Sequence, residues 1–104
     1  MVHEARRAPR RAVSTINELG YQHLRAEELG ASLAAFQYNA GLYPDSPNVW
    51  DSLGDALDKL GQKDEALASY RRAVSLAEAT GDPNLDAFRK DAARLAGRAQ
   101  GDVR

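Results

Sequence analysis

The chain has 104 residues, with 43% hydrophobic and 28% charged side chains, enough for one domain with a modest core and not for two. Fourteen basic against fifteen acidic residues leave a net charge of −1, so no global field draws the chain to nucleic acid or to a membrane surface. The absence of cysteine excludes a disulfide framework, a thiolate nucleophile and a cysteine-type zinc site, and fits a reducing, cytoplasmic setting.

In chain order, residues 1–10 carry Arg6, Arg7 and Arg10 with no periodic apolar face, and Pro9 disfavours helix at Ala8, so they read as a mobile basic arm. No apolar stretch follows the arginines as a signal peptide would require. Val13, Ile16, Leu19, Gly20 and His23 or Leu24 then recur at three- and four-residue steps, predicting a first helix over about 12–25 with these positions on its buried face. Leu29, Leu33, Phe36 and Ala40 predict a second helix over about 28–42, ended by Pro44.

Ser46 offers a side-chain oxygen as N-cap, with Pro47 at the first position of a third helix over about 47–60. Gly61 can close that helix in the left-handed conformation. A fourth helix over about 64–79 has Asp64 and Glu65 in its first turn and Ala66, Leu67, Tyr70, Ala73, Val74 and Ala77 as its packing stripe. Asp82-Pro83 repeats the cap-then-proline pattern ahead of a fifth helix over about 83–97, with Leu85, Phe88, Ala92 and Leu95 on one face. Residues 98–104 show no apolar spacing and read as a frayed tail.

An interval of 34 residues carries Ile16-x-x-Leu19-Gly20 onto Trp50-x-x-Leu53-Gly54, Leu33 onto Leu67, Phe36 onto Tyr70 and Leu42 onto Leu76. This register resembles the tetratricopeptide repeat, a helix-turn-helix unit patterned W-x2-L-G-x2-Y, A-x3-F, P. Residues 47–80 fill the pattern with Trp50, Leu53, Gly54, Ala66 and Tyr70, departing at Leu57 and Glu78. Residues 13–46 keep Ile16, Leu19, Gly20, Phe36 and Pro44 but place His23 and Ser32 where tyrosine and alanine are usual. The resemblance implies an all-α fold, a right-handed superhelical array of antiparallel helix hairpins with about five helices, whose domain spans residues 11–97 and whose last helix, about 83–97, is a cap. The strings Asn17 to Gln22, Tyr43 to Ser46 and Trp50 to Gly54 are also similar to the repeat tail that follows the catalytic domain of some bacterial serine hydrolases and esterases. That similarity implies an alternative function, an accessory tail serving dimerisation or packing on an enzyme domain.

No enzyme chemistry is legible. The only histidines are His3 and His23, the first in the arm and the second on a packing face, where a local hydrogen bond is expected, and no G-x-S-x-G or phosphate-cradle motif occurs. Asp51, Asp55 and Asp58 share a helix face, but no histidine converges on them, so neither a metal nor any other cofactor is expected. In the family resembled, the first helix of each hairpin lines a concave groove, which implies a protein or peptide partner held by Asn17, Tyr21, Arg25, Asn48, Asp51, Asp55 and Asp58. The acidic residues among them favour a basic or neutral segment. Because two and a half units fall short of the three that such arrays usually need, a homodimer is expected through the first helix, with Val13, Ile16 and Leu24 partly exposed.

Overall fold

The computed structural model describes residues 10–101, with side chains over 13–97. Five helices follow one another: α1 (Arg10–Arg25), α2 (Leu29–Leu42), α3 (Pro47–Lys59), α4 (Lys63–Thr80) and α5 (Leu85–Gly101). The expected arm lies outside the described residues except for Arg10, which begins α1. No strand occurs among the described residues, and no helix there is long and apolar enough to cross a membrane.

Two hairpins, α1/α2 and α3/α4, stack on one another, and α5 packs on α4. The glycine of each hairpin explains the pairing. A Cβ added at Gly20 would sit 2.3 Å from the Phe36 ring, and one added at Gly54 would sit 2.6 Å from the Tyr70 ring. Each aromatic ring therefore fills space that only glycine leaves on the facing helix, and both rings are fully buried. Ser32, at the position where the second unit has Ala66, is also fully buried, and its hydroxyl donates to the Gly20 carbonyl at 2.8 Å. The polar substitution in the first unit is thus satisfied within its own hairpin.

The core runs from Val13, Phe36 and Ala40 through Val49, Leu53, Ala56 and Leu57 to Ala66, Tyr70 and Leu95. A second cluster of Ala73, Ala77 and Phe88 continues it beneath α5. Trp50 packs against both clusters, donates its indole N–H to the Pro44 carbonyl at 2.8 Å, and carries the Arg72 guanidinium 4.5 Å above its ring. The wide aromatic at this repeat position thereby fixes the inter-repeat turn as well as the core.

Helix ends follow one rule in both units. Glu28 N–H reaches the His23 carbonyl and Glu27 N–H the Leu24 carbonyl; in register, Gln62 N–H reaches Leu57 and Gly61 N–H reaches Asp58. These paired bonds close a helix through a left-handed residue. In the second unit that residue is Gly61, at φ 82°, and in the first it is Glu27, at φ 61°. His23 is bonded as expected, its Nδ1 lying 2.8 Å from Glu28 Oε1.

Four expectations need correction. Leu19, placed on the buried face of α1, is 47% exposed, whereas its register mate Leu53 is buried. The reason is positional: Val49, Ser52, Leu53 and Ala56 of α3 are covered by the preceding hairpin, and their mates Thr15, Glu18, Leu19 and Gln22 in α1 have no preceding repeat among the described residues. Val13, expected at a partly exposed edge, is buried beside Asn39, whose Nδ2 donates to its carbonyl at 3.2 Å, while Ile16 and Leu24 are half-buried. Ser46 holds the N-cap position in extended backbone ahead of Pro47 without a side-chain capping bond. Pro83 lies in a turn, where Asp82 Oδ1 accepts the Asn84 N–H at 2.7 Å, so α5 starts at Leu85 and runs on to Gly101.

Two consequences are measurable by urea denaturation. Gly54→Ala forces a methyl against the buried Tyr70 ring and costs about 1–3 kcal/mol, whereas Gly97→Ala, with nothing within 4 Å of the new methyl, stabilises by roughly 0.5–1 kcal/mol. Glu27→Gly relieves a left-handed residue bearing a Cβ and raises stability by about 0.5–1 kcal/mol after the entropy of glycine is subtracted.

Candidate functional site

The first helix of each hairpin and the fifth helix turn one face toward a shared surface, where α1, α3 and α5 meet. Residues separated by the register occupy matching places there: Asn17 with Asp51, and Tyr21 with Asp55. Tyr21 presses its ring edge-on against Phe36, with centroids 4.9 Å apart, and donates its hydroxyl to Asp55 Oδ2. Tyr70 donates to the other oxygen, Oδ1, at 2.5 Å. One carboxylate of α3 thereby ties α1 and α4 together from opposite sides.

Asp51, one turn before Asp55, lies near Asp91 of α5, and one oxygen from each of the three carboxylates falls within 4.8 Å of the others. Burial first, then a hydrogen bond and charge from Asp91, push the Asp51 carboxyl up to about 9. Asp55 is also raised, chiefly by burial, although the two tyrosine hydrogen bonds oppose the rise. Both tyrosine hydroxyls are held above their usual range, for Tyr21 by burial and then the Asp55 charge, and for Tyr70 by burial and then the hydrogen bond to Asp55. Both therefore remain donors through the ordinary pH range.

Arg94 of α5 edges the cluster, 6.0 Å from the Tyr70 ring centroid, 3.4 Å from Asp91 and 3.8 Å from Asp58. Asp58 also accepts from Lys63 at 2.8 Å. Its charge is shared between two cations, so it is a rim residue already engaged within the chain. The trio Asp51, Asp55 and Asp91 offers oxygens of the kind a hard cation takes, but Asp55 accepts two tyrosine hydroxyls and Arg94 adds positive charge alongside.

Two acceptor oxygens in this surface have no hydrogen-bond partner, Asn17 Oδ1 and Asp51 Oδ1, and both are shielded from solvent although their residues are only half-buried. They are register mates. Unpaired acceptors at equivalent places in two copies of one unit mark positions where donors are missing.

Of the seven residues singled out from sequence, the structure brings Tyr21, Asp51, Asp55 and Asp58 into one connected group, with Asn17 one turn before Tyr21. Arg25 is exposed as the last residue of α1. Asn48 lies elsewhere, in a cleft of about 430 Å3 at one end of the array lined by Val13, Ser14, Ser46, Asp82, Pro83 and Asn84. Sequence reasoning missed Tyr70, Asp91 and Arg94. Tyr70 was legible as the ring over Gly54, but its hydroxyl was not; Asp91 and Arg94 border the Phe88, Ala92, Leu95 stripe, and that adjacency was the available signal.

Stacked hairpins repeating at 34 residues, with glycine against aromatic in each and a fifth helix packed on the second, define a helical-repeat array. Residues 47–80 match the family model of the tetratricopeptide repeat, so the chain carries that repeat within an array of the same fold. The tetratricopeptide repeat domain protein from Salinibacter ruber superposes with a TM-score of 0.73 in its solution NMR structure, at 22% identity over 82% of this chain and 87% of that one. Its crystal structure gives a TM-score of 0.72 at 22% identity, over 82% of this chain and 96% of that one. A chain of the CopN-Scc3 complex aligns at 17% identity with a TM-score of 0.61, over 84% of this chain and 56% of that one. No curated protein matches the sequence.

The carboxylate cluster has a thermodynamic signature. The folded chain keeps a proton on Asp51 that the unfolded chain releases above its ordinary pKa of 3.8. The contribution is complete below about pH 4 and is lost as pH climbs toward about 9. Asp51→Asn keeps the shape without the titration, so it flattens this slope and, after allowance for partial exposure, raises stability at pH 8 by about 1–2 kcal/mol. Thermal unfolding of both proteins between pH 5 and pH 9 measures the difference.

Proposed function

We propose that the chain is a non-enzymatic protein-interaction module that holds an extended partner segment, basic or neutral in character, along the surface of α1, α3 and α5. The observation that carries this reading is the carboxylate cluster of Asp51, Asp55 and Asp91 on the half-buried surface of α3 and α5, one oxygen of each lying within 4.8 Å of the others. A segment supplying N–H donors or a cationic side chain complements these oxygens. Asp51 is held protonated by burial and by Asp91, and an arriving lysine or arginine stabilises its ionised form, coupling capture to release of a proton. An acidic terminus in the same place would meet carboxyl groups and find only Arg94 as a cation at their edge. Likeness of fold to a chain of a two-protein complex supports a protein partner.

Tyr21 and Asp55 have a different role here from Asn17 and Asp51. Their polar atoms are spent on each other, so they shape the surface, whereas the half-exposed side chains of Asn17 and Asp51 beside them are the ones a ligand would meet. Fluorescence anisotropy against synthetic peptides that scan lysine or arginine through a neutral extended background tests the reading. Cationic peptides bind better than acidic ones, binding weakens with salt, and Asn17→Ala or Asp51→Ala lowers affinity about tenfold, or roughly 1.4 kcal/mol. Preference for acidic peptides, or equal binding by both variants, sinks the assignment.

A further inference from the structure

The two hairpins are copies of one unit, so each is a control for the other. Across residues 29–42, α2 contains no Asp, Glu, Lys, Arg or His. Its exposed positions are Gly30, Ala31, Ala34, Gln37, Tyr38, Gly41 and Leu42. At ~100° per residue they fall within one arc of about 140°, centred on Ala34 and opposite Phe36. The register mates in α4 are Asp64, Glu65, Ala68, Arg71, Arg72, Ser75 and Leu76, four of which are charged. The same face of the same unit is thus dressed for water in the second copy and stripped of charge in the first.

Three further observations converge on the first hairpin. The large apolar side chains left exposed among the described residues are Leu19, Tyr38 and Leu42, all in α1 or α2. Gly30 and Gly41 have negative φ, and a methyl added at either would meet nothing within 4 Å, so neither the backbone nor the packing of this chain requires glycine there. Each lies one residue from an end of α2, where glycine costs less than the ~0.8–1 kcal/mol of an interior position but still gains the helix nothing over alanine. Glycines that the fold does not use, on either side of Ala34, leave room for another backbone to come close.

We infer that the α2 face is a homodimer interface, packing against α2 of a second copy of this chain about a twofold axis. Charge decides the occupant. A twofold sets residues on its axis against their own copies, where a charge meets its like and must also be desolvated, and each of the other four described helices carries charged residues at its surface. The α2 face meets its own copy with no charge to desolvate, with Tyr38 and Leu42 flanking a shallow line of glycine and alanine. The size of the patch sets the strength. A helix of 14 residues is about 21 Å long, so this arc falls below the ~800 Å2 per partner of a standard interface. The dimer is accordingly concentration-dependent, and it lies on the layer away from the groove, so it stands or fails independently of peptide binding.

Sedimentation equilibrium of the full chain from roughly 1 μM to 1 mM reads the association. The expected mass rises from that of the 11.3 kDa chain toward twice that value. Ala34→Arg weakens association at least about tenfold while circular dichroism and the unfolding midpoint of the monomer stay near the parent's, and Ala68→Arg, its register mate on α4, leaves association intact. Should Ala34→Arg fold poorly, Tyr38→Glu at the exposed edge gives the same readout. A parent chain that stays monomeric at the highest concentration overturns the inference, as does a dimer that survives both α2 substitutions.

Discussion

The fold depends on the contact between an aromatic ring and a glycine across each hairpin. Phe36 over Gly20 and Tyr70 over Gly54 let two helices approach to a distance that any β-carbon would prevent. Close approach buries the small residues on either side, Ser32 and Ala40 in one unit and Ala66 and Ala73 in the other. It also fixes the relative rotation of the helices, and through that which side chains of α1 and α3 turn outward together. The shared surface of α1 and α3 follows from the angle at which the rings hold the hairpins.

That constraint carries an electrostatic consequence in the second unit alone. Tyr70 has a hydroxyl that Phe36 lacks, and the space in which it ends is where α3 supplies Asp55 and α1 supplies Tyr21. Two donors on one carboxylate favour its charged form, while burial and the Asp91 charge oppose it. Burial wins for Asp55 and more so for Asp51, where no donor intervenes. The surface therefore holds more hydrogen-bond acceptors than donors.

Much of this was legible in the sequence because the register is a long-range signal read from one chain. Helix number, the recurrence of a glycine and an aromatic in each unit, the stop at Gly61 and the face of α5 all follow from the repeat interval, apolar spacing and turn chemistry. What periodicity could not convey is which face lacks a neighbour. Leu19 and Leu53 have the same local pattern and opposite exposures, because burial of that position is supplied by the preceding hairpin. Asp91 and Arg94 escaped notice for a related reason: α5 has no register mate among the described residues to reveal which of its polar residues face α3. Asn48 reads as a groove residue from the helix that carries it, but its place in the first turn puts it at the end of the array.

Divergence between the copies separates structure from function more sharply than either copy alone. Where both units share a residue type, as at Gly20 and Gly54, the reason is close packing. Glu27 in place of the glycine that its mate Gly61 provides is a departure that the hairpin tolerates at the expense of a strained backbone, and it leaves the helix-ending hydrogen bonds unchanged. The charge lost from α2 is of another kind, since it strains nothing, serves no contact within the chain and leaves Tyr38 and Leu42 exposed in water. A single solvated copy of this unit has a charged outer face, as α4 demonstrates. An uncharged face on its twin is a departure that makes physical sense only in the presence of something that covers it.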